Sequence, residues 1–204
     1  MKTIILMAGG GTRFSDVGYP APKPFIEVDD KYILQWTTES TSDIIDHKTK
    51  NNPNLIFAIQ TKHDELFQVR ERLSKIYGSK INVISFDQLT RGNLDTAYAT
   101  ILSAPDIKDD EPLLFLDSDN KYDGSNLETF LSTLHSFDTE DFAAIAYFEP
   151  KDRSNKWCFA MIDPNTKKII ELREKDDTAL NKGGMPMVGV FYFKTAKMFK
   201  DAAK

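Results

Sequence analysis

The sequence predicts an α/β protein built on a mostly parallel sheet covered by helices on both faces. Short, continuously apolar segments such as Ile4–Met7, Leu55–Gln60 and Pro112–Leu116 read as strands buried on both sides. Between them, apolar residues recur at helical spacing, the alternation that βα units require. Glycines follow the first of these strands and carboxylates the last, where open α/β sheets bind their ligands.

Taken in order, Ile4–Met7 is β-branched at its start and opens the fold almost at once. Leu55–Gln60 is the second strand, and Leu66, Val69, Leu73, Ile76 and Tyr77 mark a helix face after it. Ile81–Phe86 is the third strand. Leu94, Ala97, Ile101 and Leu102 mark the next helix, ending before Pro105. After the fourth strand, Leu127, Phe130, Leu131 and Leu134 define another helix. The rhythm then changes: Phe142–Phe148, Trp157–Ile162, Lys168–Leu172 and Met187–Phe193 are strand-like with short turns, including Asp163-Pro164-Asn165. With no linker, repeat or low-complexity stretch, the expectation is one domain over 1–204, a core over 1–140 and a β-rich elaboration over 141–204. Thr195–Lys204 reads as the opening of a helix with no stop signal, which suggests a truncated or minimal form.

A chain of 204 residues, 41% hydrophobic, can bury a substantial core. No apolar run approaches the roughly 18 residues that span a membrane. The single Cys158 excludes an internal disulfide framework and points to a reducing, cytoplasmic setting. A net charge of −5 argues against general nucleic-acid binding.

Residues 7–24 carry the strongest chemical signal. Gly9, Gly10 and Gly11 remove every Cβ from the turn after the first strand, so backbone N–H groups can approach a phosphate. Arg13 adds a permanently charged fork, and Lys23, between Pro22 and Pro24, adds a compact point charge on a stiffened segment. Two cations beside a nest of amides suit a polyphosphate. No Gly-Lys-Ser/Thr closes the loop as in the Walker pattern, and Phe14 stands where the dinucleotide fingerprint needs a third glycine. In Leu113–Asn120, an apolar strand ends in Asp117 and Asp119, which could hold a hard cation such as Mg²⁺ together with phosphate oxygens; a plain polar turn fits the same residues. Alternation aims only one of the two fully at a ligand. Gly92–Ala97 opens a helix after a glycine turn, with Asn93 as a good N-cap and Asp95 and Thr96 in the first turn.

Ala8-Gly9-Gly10-Gly11-Thr12-Arg13-Phe14 with Pro22-Lys23-Pro24 resembles the N-terminal signature of the nucleotidyltransferase family, the sugar-1-phosphate nucleotidylyltransferases and related cytidylyltransferases. Asp16-Val17-Gly18-Tyr19 resembles the capsule- and lipopolysaccharide-type members. The resemblance implies a three-layer, Rossmann-like, GT-A-like nucleotide-diphospho-sugar transferase fold. It implies Mg²⁺ as cofactor, Arg13 and Lys23 as catalytic cations, and a nucleotide site drawn from Met7, Ala8, Gly9, Gly10, Gly11, Thr12, Gly92, Asp95, Thr96 and Ala97. Gln60 joins these as a weaker nucleobase candidate. Asp119 is the first metal candidate and Asp117 the second. Such enzymes commonly draw a second metal-binding Asp from farther downstream, and no counterpart precedes Lys204. Glu174 and Lys175 resemble an acceptor-binding E-K segment in which Asp176 replaces the usual proline, and a solvated charged strand end explains them equally. Gly189 resembles the glycine of a G-x-Y strand lining the acceptor pocket.

The implied partners are a nucleoside triphosphate and a phosphorylated acceptor, first a sugar 1-phosphate for surface-polysaccharide precursors, with phosphocholine and other phospho-alcohols as alternatives. An attacking phosphate is already anionic, so no protein base is required. His47, His63, His135 and Cys158 accordingly read as surface or structural residues. Two rivals stay open. Asp117-Ser118-Asp119 also fits the D-x-D motif of glycosyltransferases using a nucleotide sugar, and a non-catalytic nucleotide-binding protein would keep the same pocket.

Overall fold

The computed structural model describes residues 1–11, 14, 16, 18–19, 22–41, 51–104, 106–134, 143–150 and 156–204. Thr12, Arg13, His47 and His135 therefore lie outside the described residues. In chain order the elements are β1 (Lys2–Leu6), β2 (Glu27–Val28), β3 (Lys31–Tyr32), α1 (Ile33–Glu39), β4 (Leu55–Gln60), α2 (Thr61–Phe67), α3 (Val69–Tyr77) and β5 (Asn82–Phe86). They continue with α4 (Asn93–Ser103), β6 (Leu113–Asp117), α5 (Gly124–Leu134), β7 (Ala143–Tyr147), β8 (Cys158–Ile162), β9 (Ile169–Glu174), β10 (Met185–Phe193) and α6 (Ala196–Ala202). Among the described residues no helix is long and apolar enough to cross a membrane.

The chain divides into two compact units. The first is Met1–Ala144 with Phe191–Lys204, the second Ile145–Val190. The division expected near residue 140 thus takes another form, because the last fourteen residues return to the first unit.

In the first unit, β5, β4, β1 and β6 run side by side and parallel. Ile4 sits level with Ile56 and Phe115, and Leu6 with Ala58 and Asp117. One face of the sheet packs Ile4, Leu6, Ile56, Ala58 and Phe115 against Ala97 and Ile101 of α4 and Phe199 of α6. Side chains of opposite parity, Ile5, Phe57 and Leu114, are fully buried as well. Phe57 meets the Tyr77 ring of α3 at 5.1 Å. This double burial is why the three central strands carry no polar alternation.

The second unit is antiparallel. Cys158 lies opposite Glu174 and Phe159 opposite Arg173 in the β8–β9 pair, while Met185 of β10 sits opposite Ala160.

Several local expectations are corrected. The single helix after β4 is two helices, broken at Gln68, which is left-handed (φ 53°, ψ 44°). Asp64 stabilises the break by accepting the Arg70 backbone N–H at 2.7 Å. Leu66 is exposed, and the buried face is Val69, Leu73 and Tyr77. On α4 the inward residues are Thr96, Ala97, Thr100 and Ile101, so Leu94 and Leu102 point out. Gly92, not Asn93, is the N-cap of that helix. The β2–β3 hairpin and α1 gave no readable signal. Their turn uses Asp29 and Asp30 at φ 50° and 61° where a glycine would announce it.

Candidate functional site

Parallel strands end at one edge, and this gathers the distant segments of the site. At the carboxyl ends of β1 and β6 lies a cleft of about 190 Å³, lined by Met7, Gly9, Gly11, Lys23, His63, Asn93, Asp117, Ser118 and Asp119. Ligand pockets for whole small molecules run roughly 300–1,000 Å³, so this volume suits the phosphates of a nucleotide more than the entire molecule.

Gly11 adopts φ 62° and accepts the Phe14 N–H at 3.0 Å, so the turn closes through a conformation that side-chain-bearing residues resist. Ala8 is buried, and its carbonyl accepts Nε2 of Gln60 at 2.7 Å. Gln60 thus ties the glycine turn to the end of β4. Lys23 is the first residue of a short 3₁₀ helix, Lys23–Phe25, entered from Pro22. Its ammonium pairs with the Asp119 carboxylate and lies 5.4 Å from the centre of the Phe14 ring.

The two carboxylates have distinct surroundings. Burial first, and then the like charge of Asp119, push the Asp117 carboxyl up to about 6, against the opposing pull of Lys23. Asn93 donates from Nδ2 to Asp117 Oδ1 at 3.2 Å. A carboxylate short of positive charge beside one already paired with lysine is an environment that an added cation would relieve. Among the described residues no three His, Cys, Asp or Glu side chains cluster as a closed metal cage. Two hard oxygen donors on an open cleft fit Mg²⁺, which takes few protein ligands and completes its shell with phosphate and water.

The Gly92–Ala97 segment divides between surroundings. Gly92 and Asp95 line a separate groove with Arg91, Leu94 and Tyr98. The Asp95 carboxylate is held low by hydrogen bonds from Arg91. Thr96 is buried and bonded to Thr90 and the Gly92 carbonyl, and Ala97 is in the core. Neither borders the cleft at the ends of β1 and β6. Gly10 is exposed on the turn.

In the second unit, Glu174 ends β9 and its carboxylate lies 3.4 Å from the ammonium of Lys175, whose backbone is left-handed at φ 51°. Asp176 then accepts the Thr178 N–H at 2.7 Å and one Arg173 N–H at 3.1 Å, so an Asx turn bends the chain where the resembled pattern has a proline. Gly189 is inside β10.

His63, Asn93 and Ser118 are cleft residues that the sequence did not single out for that role. His63 occupies the third position of a helix that starts directly after Gln60, and that adjacency was the available signal.

The whole chain from residue 2 to 204 matches the family model described as nucleotidyl transferase. It is 28% identical over 193 residues, 95% of its length, to the bifunctional protein GlmU of Methanocaldococcus jannaschii, and spans 40% of that protein. In fold it is similar to the nucleoside-diphosphate-sugar pyrophosphorylase from Vibrio cholerae RC9 (TM-score 0.70, 16% identity, 98% of this chain and 76% of that one). It is also similar to the inositol-1-phosphate CTP transferase from T. maritima (TM-score 0.68, 18% identity, 97% and 71%). A glycine turn, a lysine and a carboxylate pair converge on one sheet edge within that fold and under that full-length match; the chain belongs to the nucleotidyl transferase family.

Proposed function

We propose that the chain transfers a nucleoside monophosphate from a nucleoside triphosphate to a phosphorylated small molecule, with a sugar 1-phosphate as the first choice of acceptor. An acceptor phosphate oxygen forms a bond to the α-phosphorus, the bond from that phosphorus to the bridging oxygen breaks, and pyrophosphate leaves with the electron pair. The attacking oxygen is already an anion, so the protein's work is alignment and charge neutralisation. The observation that supports this best is the meeting of Gly9, Gly11, Lys23, Asp117 and Asp119 in one cleft. Two proteins of similar fold, a nucleoside-diphosphate-sugar pyrophosphorylase and an inositol-1-phosphate CTP transferase, are named for acceptor chemistry of this kind.

In this reading Met7 to Thr12 cradle the phosphates and Gln60 braces that turn. Arg13, outside the described residues, joins Lys23 as a catalytic cation. Asp119 and Asp117 would hold Mg²⁺, which when bound supplies charge neutralisation at the triphosphate. Gly92 and Asp95 would take the nucleobase side, with the buried Thr96 and Ala97 packed behind them rather than touching the base, and Glu174, Lys175 and Gly189 would serve the acceptor. With a lone cysteine in the sequence, we place the reaction in the cytoplasm. The test is pyrophosphate release with Mg²⁺, the five common triphosphates and a panel of sugar phosphates and phospho-alcohols. One pair is expected to react, and Lys23→Ala is expected to lower its turnover by ~10²–10³-fold. Intact triphosphate across the whole panel would instead identify a binding protein.

A further inference from the structure

Among the described residues, β9 is the last strand of its sheet: it pairs with β8 on one side and with no strand on the other. An edge strand offers a row of backbone donors and acceptors to another chain. The pairing with β8 tells which residues carry them. The Lys175 N–H donates to the Trp157 carbonyl at 2.9 Å, so by antiparallel alternation Lys175, Arg173 and Glu171 turn their backbone toward β8, while Leu172 and Glu174 turn theirs outward.

The side chains at this edge are apolar where an edge is normally guarded. Ile170 is 69% exposed, Leu172 53% and Ile169 40%. Edges that stay alone are blunted by charges or by bulges. A bulge is present, but it falls at Ile170, because Ile169 sits level with Ile162 while Glu171 is level with Met161. Residues 171–174 keep a regular register with β8 and leave Leu172 in the middle of a straight edge.

Charge selects the occupant. The segment reads Lys167 and Lys168 before the strand, Glu171 and Arg173 on either side of Leu172, and Asp176 and Asp177 after it. Residues equidistant from Leu172 therefore carry opposite charges. A second copy running antiparallel, with its own Leu172 opposite this one, would face Glu171 with Arg173, Lys168 with Asp176 and Lys167 with Asp177, each pair occurring twice by symmetry. A two-fold axis one residue to either side would set Glu171 against Glu171 or Arg173 against Arg173, and like charges directly opposite are destabilising. Arg173 already donates to its own Glu171 at 2.9 Å and to Asp176 at 3.1 Å, so the facing charges would extend a network rather than form isolated surface pairs.

We propose that β9 is an interface with a second copy of this chain, the two strands pairing antiparallel about Leu172 and joining their sheets edge to edge. A single strand edge lies at the low end of interface sizes, so the association is concentration-dependent. The proposal does not rest on the proposed reaction, and its test reads mass and cross-linking rather than turnover.

The experiment is sedimentation velocity over a micromolar to submillimolar concentration series for wild type and Leu172→Lys. Wild type is expected to double its mass as concentration rises. Leu172→Lys brings two ammonium groups together on the axis and should weaken association by ~10-fold or more. Its urea midpoint should match wild type, because Leu172 is half exposed already. A second pair of variants checks the register and stands in if Leu172→Lys fails to fold. Leu172→Cys in a Cys158→Ser background should form an inter-chain disulfide under mild oxidation, since residues facing each other in a hydrogen-bonded antiparallel pair have Cα atoms about 5.5 Å apart, within disulfide reach. Ile169→Cys in the same background, which faces Lys175 of the second copy rather than its own mate, should not. A wild type that stays monomeric throughout overturns the proposal and leaves the edge to some other occupant. A dimer that Leu172→Lys leaves intact overturns it too, by placing the contact on another face, as does cross-linking at Ile169→Cys without cross-linking at Leu172→Cys.

Discussion

His63 shows at the level of one side chain what burial beside the cleft does. The imidazole is half-buried, and burial first, then the adjacent Lys62, lower its pKa from the ordinary 6.5. The neutral ring is therefore the form that the folded protein favours. In the unfolded chain the same group titrates near 6.5, so below that pH the unfolded state binds the proton more readily. Stability from this residue is thus complete above pH 6.5, falls as pH drops through it, and levels off below the lowered folded value. Urea midpoints of wild type and His63→Gln, compared at pH 8 and pH 5, should show the larger loss in wild type. Equal losses in the two proteins would mean that His63 is not the group responsible. The neutral ring has a second consequence, because it adds no charge to the Lys23–Asp119 pair across the cleft.

Single turns decide where the elements begin and end. The turn after α3 is held by Asn51, whose N–H donates to the Tyr77 carbonyl and whose Oδ1 accepts the Ser79 N–H, both at 2.7 Å. Gly78 passes through it at φ 88°, and an added Cβ would stand 2.7 Å from the Asn51 backbone nitrogen. Because backbone is in the way, no side-chain rotation relieves the contact. Gly78→Ala should cost ~1–3 kcal/mol, read as a drop of about 2–4 °C in Tm per kcal/mol for a chain of this size. A variant melting with wild type would show that the Asn51 loop yields freely. The central strands were legible because being buried on both faces forces them to be apolar throughout, as Ile4–Leu6, Leu55–Ile59 and Leu113–Leu116 are. The glycine turn and the carboxylate strand end were legible for a related reason: few residue types fit either place. The hairpin around Asp29 and Asp30 was not, since left-handed aspartates look like any polar pair. The α2–α3 break was hidden in the same way behind Gln68. On α4, helical spacing was sound but its phase was misread, because the small residues Thr96, Ala97 and Thr100 face the sheet while the larger Leu94 and Leu102 do not.

For the molecule as a whole, charge poses the problem that the cleft must solve. The chain carries 31 acidic against 26 basic side chains, a net charge of −5, yet the proposed ligand is a polyanion. Long-range steering therefore opposes binding, and attraction has to come from within a Debye length, about 8 Å at physiological salt. Lys23 supplies one positive charge at the cleft, but it is already paired with Asp119. A triphosphate entering without a metal would have to draw Lys23 from that carboxylate and leave Asp119 beside Asp117 without a counter-charge. Bound Mg²⁺ would give the two carboxylates a partner and would leave Lys23 free for the phosphates, so nucleotide and metal binding should be strongly coupled. A thermal-denaturation screen of ATP, CTP, GTP, UTP and dTTP, each with Mg²⁺ and with EDTA, reads this coupling. The cognate triphosphate at about 100 times its Kd should stabilise the protein by ~2.7 kcal/mol with the metal, and by far less in EDTA. Asp119→Asn should lose the difference between the two conditions while keeping the fold. A shift of equal size with and without Mg²⁺ would show that the lysine and the glycine turn bind the phosphates unaided, and that the carboxylate pair serves another purpose.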